Sequence, residues 1–220
     1  MCLFPNISYV ENFVPLNGPV MGLPPSPKAM FTFLVNRGIV GLNFLDGVNN
    51  MQDLEELIFE LIDHYPENGA SLERIFHLIE IWGGRMGRSF YLSHPFSWDD
   101  INPLYNGLIN NFTSIQNLGN QTLVRAANAV GIFYEALHEA GYKGMAVAFI
   151  TKHTRFWMHR NMPNNMLPIY DSTFSEHVMQ RGRTANYRDL LPFWQAMVEK
   201  AQLENVSLTS LERQLFNYLG

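Results

Sequence analysis

The chain has 220 residues, of which 47% are hydrophobic and 16% charged, a balance that predicts a globular protein with one large domain or two small ones. A single cysteine, Cys2, excludes a disulfide framework and any metal site or cluster built from several thiolates. The net charge of −5 argues against a chain that binds nucleic acid over its whole surface, because phosphates attract Lys and Arg.

No targeting or membrane segment is expected. The first residues, MCLFPNISYV, contain no basic region followed by a long apolar run, so we predict no signal peptide. No stretch of about 18 apolar residues occurs, so we predict no spanning helix and a cytoplasmic protein.

The spacing of apolar residues predicts helices along most of the chain. Six prolines make the first 30 residues loop-like, residues 94–98 and 102–103 read as turns, and residues 154–170 read as irregular. Helices are predicted at residues 52–64, 71–82, from 120 or 122 to about 140, from 144 to about 153, after residue 171, at 188–203 and at 208–219. No segment alternates with the period of a strand, so the predicted fold class is all-α.

Basic charge is concentrated in one segment. Residues 143–188 carry 7 Lys/Arg against 2 Asp/Glu, whereas residues 1–142 carry 6 against 14 and residues 189–220 carry 2 against 4. Such a segment favours contact with a polyanion, and chance clustering on a solvated surface is the alternative.

A turn rich in glycine divides residues 123–153 into helix, turn and helix. Its sequence is Gly141-Tyr142-Lys143-Gly144, and its glycines permit conformations that expose backbone amides. Amides at a helix start can bind one DNA phosphate, although many helical hairpins turn on glycine without binding anything.

An amine and a carboxylate follow this turn. Lys152 comes after the apolar run Met145 to Ile150, where desolvation would lower its pKa; a lysine snorkelling from a helix end is the alternative. Asp171, 19 residues later, is predicted to cap the next helix, whose amides would favour its ionised form. A neutral amine beside a carboxylate suits imine-forming attack on a sugar carbon.

The span from about Leu123 to His177 resembles the helix-hairpin-helix DNA glycosylase superfamily, particularly its 8-oxoguanine-DNA-glycosylase-like bacterial and archaeal branch. The resemblance rests on the hairpin, on Lys152, on Asp171 in PIYDS, and on IWGGRMGR with Arg85 and Arg88. It implies a two-lobed all-α glycosylase of residues 1–220. Residues 1–120 would form the N-terminal lobe, 121–187 the hairpin and catalytic segment, and 188–220 helices that pack back.

The resemblance also implies an activity. The enzyme would be a cofactor-free bacterial monomer, associated with the nucleoid, that acts on double-stranded DNA and excises damaged guanine or a hypermodified base of phage DNA. Lys152 resembles the nucleophile that attacks C1′, with AP-lyase activity if the imine undergoes β-elimination, and Asp171 resembles the aspartate that stabilises the sugar. Lys143, within the glycine-rich turn, is a second candidate nucleophile.

Further candidates surround the pair. Aromatic residues that could stack on a flipped base are Phe156, Trp157, Tyr170 and Phe174, with core packing as the alternative. Candidate DNA contacts are Gly141, Lys143, Gly144, Arg155, Arg160, Arg181, Arg183, Arg85 and Arg88. No carboxylate or cysteine spacing accompanies His153, His159 and His177, so we expect no metal. The rival functions are a non-catalytic helical DNA-binding or interaction module and a helical enzyme acting on free nucleosides.

Overall fold

The computed structural model describes residues 2–5, 31–32, 34–36, 38, 41, 43, 45–67, 71–83, 97–142 and 144–219. These residues form helices and contain no strand, which confirms the all-α prediction for the described part of the chain. The helices are α1 (Met51–Asp63), α2 (Leu72–Gly83), α3 (Trp98–Thr113), α4 (Asn120–Glu139), α5 (Val147–Met158), α6 (Ser172–His177), α7 (Leu190–Glu204) and α8 (Leu208–Leu219), with a 3₁₀ turn at Tyr187–Asp189. None of the described helices combines the length and apolarity needed to cross a bilayer.

Helix α1 forms where the apolar period and a capping side chain agree. Asn50 accepts hydrogen bonds from the backbone N–H groups of Gln52 and Asp53, which satisfies two amides of the first turn. One face then buries residues at intervals of four, namely Leu54, Ile58 and Ile62.

Helix α3 corrects the prediction of turns around residue 102. It begins at Trp98 and continues through Pro103, and it buries five side chains with helical spacing: Ile101, Tyr105, Leu108, Ile109 and Phe112. A proline inside a helix costs about 3 kcal/mol, whereas each large buried apolar side chain contributes about 1.5–3 kcal/mol. Burial therefore outweighs the local turn signal. Residues 94–96 of the other predicted turn lie outside the described residues.

The turn between α4 and α5 is a helix cap. Gly141 adopts φ +93°, and its N–H donates to the carbonyl of His138 while the N–H of Tyr142 donates to Leu137. This pattern closes the C-terminus of α4 and requires a residue that tolerates positive φ, as glycine does. The two amides are used within the protein.

Helix α5 lies at the centre of the fold. It runs from Val147 to Met158, so residues 154–158 are helical and not irregular, and Lys152 lies in the middle of the helix and not at its end. Ten of its twelve residues are buried, and it packs against α1, α2, α3 and α4. Helix α7 packs on α4, and α8 packs on α6 and α7. The buried apolar residues form one cluster with members from every α-helix.

A chain of hydrogen bonds crosses this core. The indole N–H of Trp157 donates to the hydroxyl of Tyr105 at 2.7 Å, and that hydroxyl lies 2.8 Å from Nδ1 of His153. Nε2 of His153 lies 2.9 Å from Oε1 of Glu80. Each hydrogen has an acceptor if Tyr105 donates to Nδ1 and His153 donates from Nε2 to Glu80. His153 is therefore a core residue with two partners.

Tyr105→Phe should destabilise the fold strongly. The change keeps the ring but leaves the Trp157 N–H and the His153 Nδ1 without their partner, and stranding two buried polar groups costs about 2 kcal/mol or more. Urea denaturation measures the loss. Tyr218→Phe, at a residue that is 59% exposed, is the control and should change stability by less than about 0.5 kcal/mol. Equal urea midpoints for Tyr105→Phe and Tyr218→Phe would contradict the role given to the Tyr105 hydroxyl.

Candidate active site

Lys152 lies on the face of α5 that is turned towards α2. Its Nζ donates to the carbonyl of Gly83 at 3.2 Å and lies 4.4 Å from the ring centroid of Phe149 and 5.8 Å from that of Trp82. Burial lowers the pKa of Lys152, and the charges of Asp171 and Glu80 oppose that shift. The direction is the one predicted from the apolar run before the lysine.

Asp171 is the N-cap of α6, as its sequence context predicts. Its Oδ1 accepts the N–H of Phe174 at 3.1 Å. The amides act as predicted, because the hydrogen bond from Phe174 lowers the pKa of Asp171, but the net shift of that pKa is upward. Burial raises the pKa of Asp171 and outweighs the hydrogen bond from Phe174 and the charge of Lys152, both of which lower it. The cap positions the carboxylate without making it a stronger acid.

Lys152 and Asp171 open on the same cavity, which has a volume of about 270 Å³. They form no ion pair within 4.0 Å, so each acts on the other as a charge at a distance. The apolar residues that line the cavity are Trp82, Ile169, Phe174 and Phe216, and the charged residues that line it besides the pair are Glu55, Arg155, Glu212 and Arg213.

Arg155 is not a surface residue, contrary to its prediction as a DNA contact. It is 3% exposed, and its Nε donates to Glu212 at 3.1 Å while an Nη donates to Glu55 at 3.0 Å. Position 155 lies one turn after Lys152, on the helix face that is turned inward. Because the guanidinium of Arg155 is paired with two carboxylates, it is not available to a phosphate in this structure.

All four predicted stacking residues belong to the core. Phe156, Trp157, Tyr170 and Phe174 are at most 2% exposed, and Phe156 packs tilted on Phe59 with 5.1 Å between ring centroids. Phe174 is the member of that set that also lines the cavity. Core packing is the default for buried aromatic rings, and all four follow it.

Six residues that line the cavity were not predicted from the sequence: Glu55, Trp82, Ile169, Glu212, Arg213 and Phe216. Trp82 ends the apolar face of α2, and Phe216 lies on α8, where it is 45% exposed. One signal was present in α8: Glu212 stands four residues after Leu208 on the buried face, an unusual position for a charge.

The remaining DNA candidates lie at the surface or outside the described residues. Arg160 donates to the carbonyl of Tyr65, and Arg181 and Arg183 form exposed ion pairs with Asp189 and Glu176. Gly141 lies in the α4 cap and Gly144 in the turn before α5. The candidates outside the described residues are Arg85, Arg88 and Lys143.

The described residues contain no group of three or more His, Cys, Asp or Glu side chains placed to hold a metal ion. His159 stacks on Phe59 with 3.7 Å between ring centroids and lies 3.6 Å from Asp63. His177 is an exposed residue at the end of α6. The three histidines of the basic segment are thus in different surroundings.

The burial of Lys152 should make stability depend on pH in the alkaline range. A folded-state pKa below the unfolded value, about 10.5, means that wild-type stability rises as pH increases through that window. Lys152→Met has no such ionisation. The difference in unfolding free energy, Lys152→Met minus wild type, should therefore decrease as pH rises towards the unfolded pKa.

Urea midpoints between neutral pH and about pH 10.5 measure this difference. Lys200→Met is the matched control, because the Lys200 ammonium pairs with Glu204 on the same helix. A difference for Lys152→Met that stays constant over this range would show that burial does not act on the charge of Lys152.

Comparison with known proteins identifies no relative. No family model matches the chain, no curated protein matches it, and no solved structure matches it. The candidate site therefore rests on the residues and geometry described above.

Proposed function

We propose that the chain is a DNA N-glycosylase that removes a damaged or modified base, with Lys152 as nucleophile and Asp171 as the carboxylate that assists it. The observation that carries this proposal is their shared opening on one cavity, although they belong to different elements. The resemblance of PIYDS and of the lysine to a glycosylase site points to the same two residues.

The cavity suits a flat aromatic group. Trp82 and Phe216 supply accessible ring surfaces, and a flipped base stacks on such surfaces. The volume of about 270 Å³ is near the lower end of small-molecule sites, which begin at about 300 Å³. Glu55 and Arg213 border the cavity and pair with each other at 3.4 Å, so the edge of a base would have to exchange for that contact.

The two pKa shifts favour the chemistry. A lowered pKa makes the neutral amine of Lys152 more accessible, and a raised pKa makes Asp171 a better proton acceptor. Burial in the same cavity is the first cause of both shifts. Perturbed titratable groups of this kind are typical of active sites.

The reaction begins when the neutral amine attacks C1′ of the deoxyribose. A bond forms between Nζ and C1′ while the bond to the base breaks, and the electron pair leaves with the base, which takes up a proton from water. The carboxylate of Asp171 stabilises positive charge on the sugar, accepts a proton from Nζ and passes it to O4′, so that the sugar ring opens to a protonated imine. Loss of a proton from C2′ expels the 3′ phosphate and nicks the strand.

Borohydride trapping on duplexes carrying different modified bases, including phage genomic DNA, tests the proposal. Wild type should form a covalent adduct on at least one substrate, and Lys152→Met should form none. Asp171→Asn keeps an N-cap acceptor but removes the charge, so we expect near-normal stability and a rate of base release lower by roughly 10²- to 10⁴-fold.

Lys200→Met is the matched lysine control and should leave the adduct intact. Full adduct formation by Lys152→Met would move the nucleophile to another lysine, Lys143 first. Salt-dependent DNA binding without base release from any substrate would overturn the catalytic proposal in favour of a non-catalytic binding module. Base release from free nucleosides alone would exclude DNA as the substrate.

The exposed arginines of the basic segment are proposed to contact phosphates. Arg160, Arg181 and Arg183 have partners, but exposed ion pairs are weak enough to exchange for phosphates. The triple alanine variant should reduce the slope of log affinity against log salt by about 3. Arg125→Ala, at an exposed residue of α4 outside the segment, should leave the slope unchanged. Equal salt slopes for the triple alanine variant and Arg125→Ala would show that DNA does not contact these three arginines.

A further inference from the structure

The separation of Lys152 and Asp171 is set by other residues. Lys152 belongs to α5 and Asp171 begins α6, and no direct ion pair joins them. Displacing a catalytic group by about 1 Å can slow a reaction by about 10²-fold. The contacts that hold the segment before Asp171 against α5 therefore matter to the site.

Thr151 provides the first of these contacts. Its Oγ1 accepts the N–H of Tyr170 at 3.0 Å and donates to the carbonyl of Val147 at 3.0 Å. Thr151 is fully buried and precedes Lys152, while Tyr170 precedes Asp171. One hydroxyl thus connects the immediate neighbours of the two candidate catalytic residues.

Glu212 of α8 provides the second contact. Its Oε1 accepts the N–H of Ile169 at 2.7 Å, and its Oε2 accepts from Nε of Arg155 at 3.1 Å. Arg155 lies one turn after Lys152 on α5, and Glu212 is 5% exposed. A single buried carboxylate therefore joins α8, the helix of the lysine and the segment of the aspartate.

We propose that Thr151 and Glu212 are positioning residues that hold Asp171 at its separation from Lys152 by accepting the N–H groups of Tyr170 and Ile169. Helix α8 then helps to shape the site, although it contributes neither of the two reacting groups. The catalytic consequence of this inference rests on the proposed glycosylase function, whereas the positioning of Asp171 does not depend on it.

Thr151→Val and Glu212→Met test the proposal with little change of shape. Valine removes the acceptor for Tyr170 without changing charge, and methionine removes both the acceptor for Ile169 and the charge that Arg155 faces. In single-turnover assays, both should lower the rate of base release by roughly 10- to 100-fold, with DNA affinity within about threefold of wild type. A loss of affinity at an unchanged rate would overturn the proposal.

Thr209→Val is the matched control. Thr209 is also buried, and its Oγ1 accepts the N–H of Met166 at 3.2 Å, in the same connecting segment but five residues before Asp171. It should cost stability as Thr151→Val does, and it should leave the rate within about threefold of wild type. The single-turnover assays are to be run at a temperature at which circular dichroism shows that all variants are folded. Equal rates for Thr151→Val and Thr209→Val would overturn the proposal.

The titration midpoint of Lys152, measured by NMR, does not depend on activity. Asp171 raises the pKa of Lys152, so Asp171→Asn should lower the midpoint. Thr151→Val changes no charge, and it should move the midpoint towards the Asp171→Asn value because the carboxylate is released. Thr209→Val should not move it.

A midpoint that is the same in wild type and Thr151→Val would overturn the positioning role even if the enzyme is active. The expected midpoints in a protein that releases no base would support positioning while refuting the glycosylase proposal. The two proposals can therefore fail separately.

Discussion

The burial of α5 is the constraint on which the rest of the structure depends. Ten of its twelve residues are buried, and several of these are polar or charged, so their hydrogen-bonding groups need partners inside the protein. The partners come from separate helices: Glu80 of α2 and Tyr105 of α3 for His153, and Glu55 of α1 and Glu212 of α8 for Arg155. The helices around α5 are thus tied to it by polar contacts as well as by apolar packing.

Lys152 differs from the other polar residues of α5. Its ammonium meets a backbone carbonyl and two aromatic rings, whereas the Arg155 guanidinium meets two carboxylates. A cation that is partly removed from water without a carboxylate in contact costs stability. The same burial raises the pKa of Asp171. A single physical cause, removal from water, therefore moves the two pKa values towards each other.

The cavity depends on the end of the chain as much as on its middle. Helix α8 supplies Phe216 as a wall, and Glu212 reaches the backbone before Asp171. Trp194 of α7 donates to the carbonyl of Pro168 in the same connecting segment. An irregular segment between two helices is thereby held by α5, α7 and α8, which gives a loop residue such as Asp171 a defined position.

The sequence by itself determined the all-α class, the helices with a strong apolar period and the cap at Asp171. These features depend on residues within about four positions of one another, which local patterns record. Tertiary structure alone decided the helix through Pro103, the burial of Arg155, the core positions of the four predicted stacking residues, and the direction of the Asp171 pKa shift. The cavity joins residues from Glu55 to Phe216, and its polarity depends on how distant helices exclude water, which no local pattern encodes.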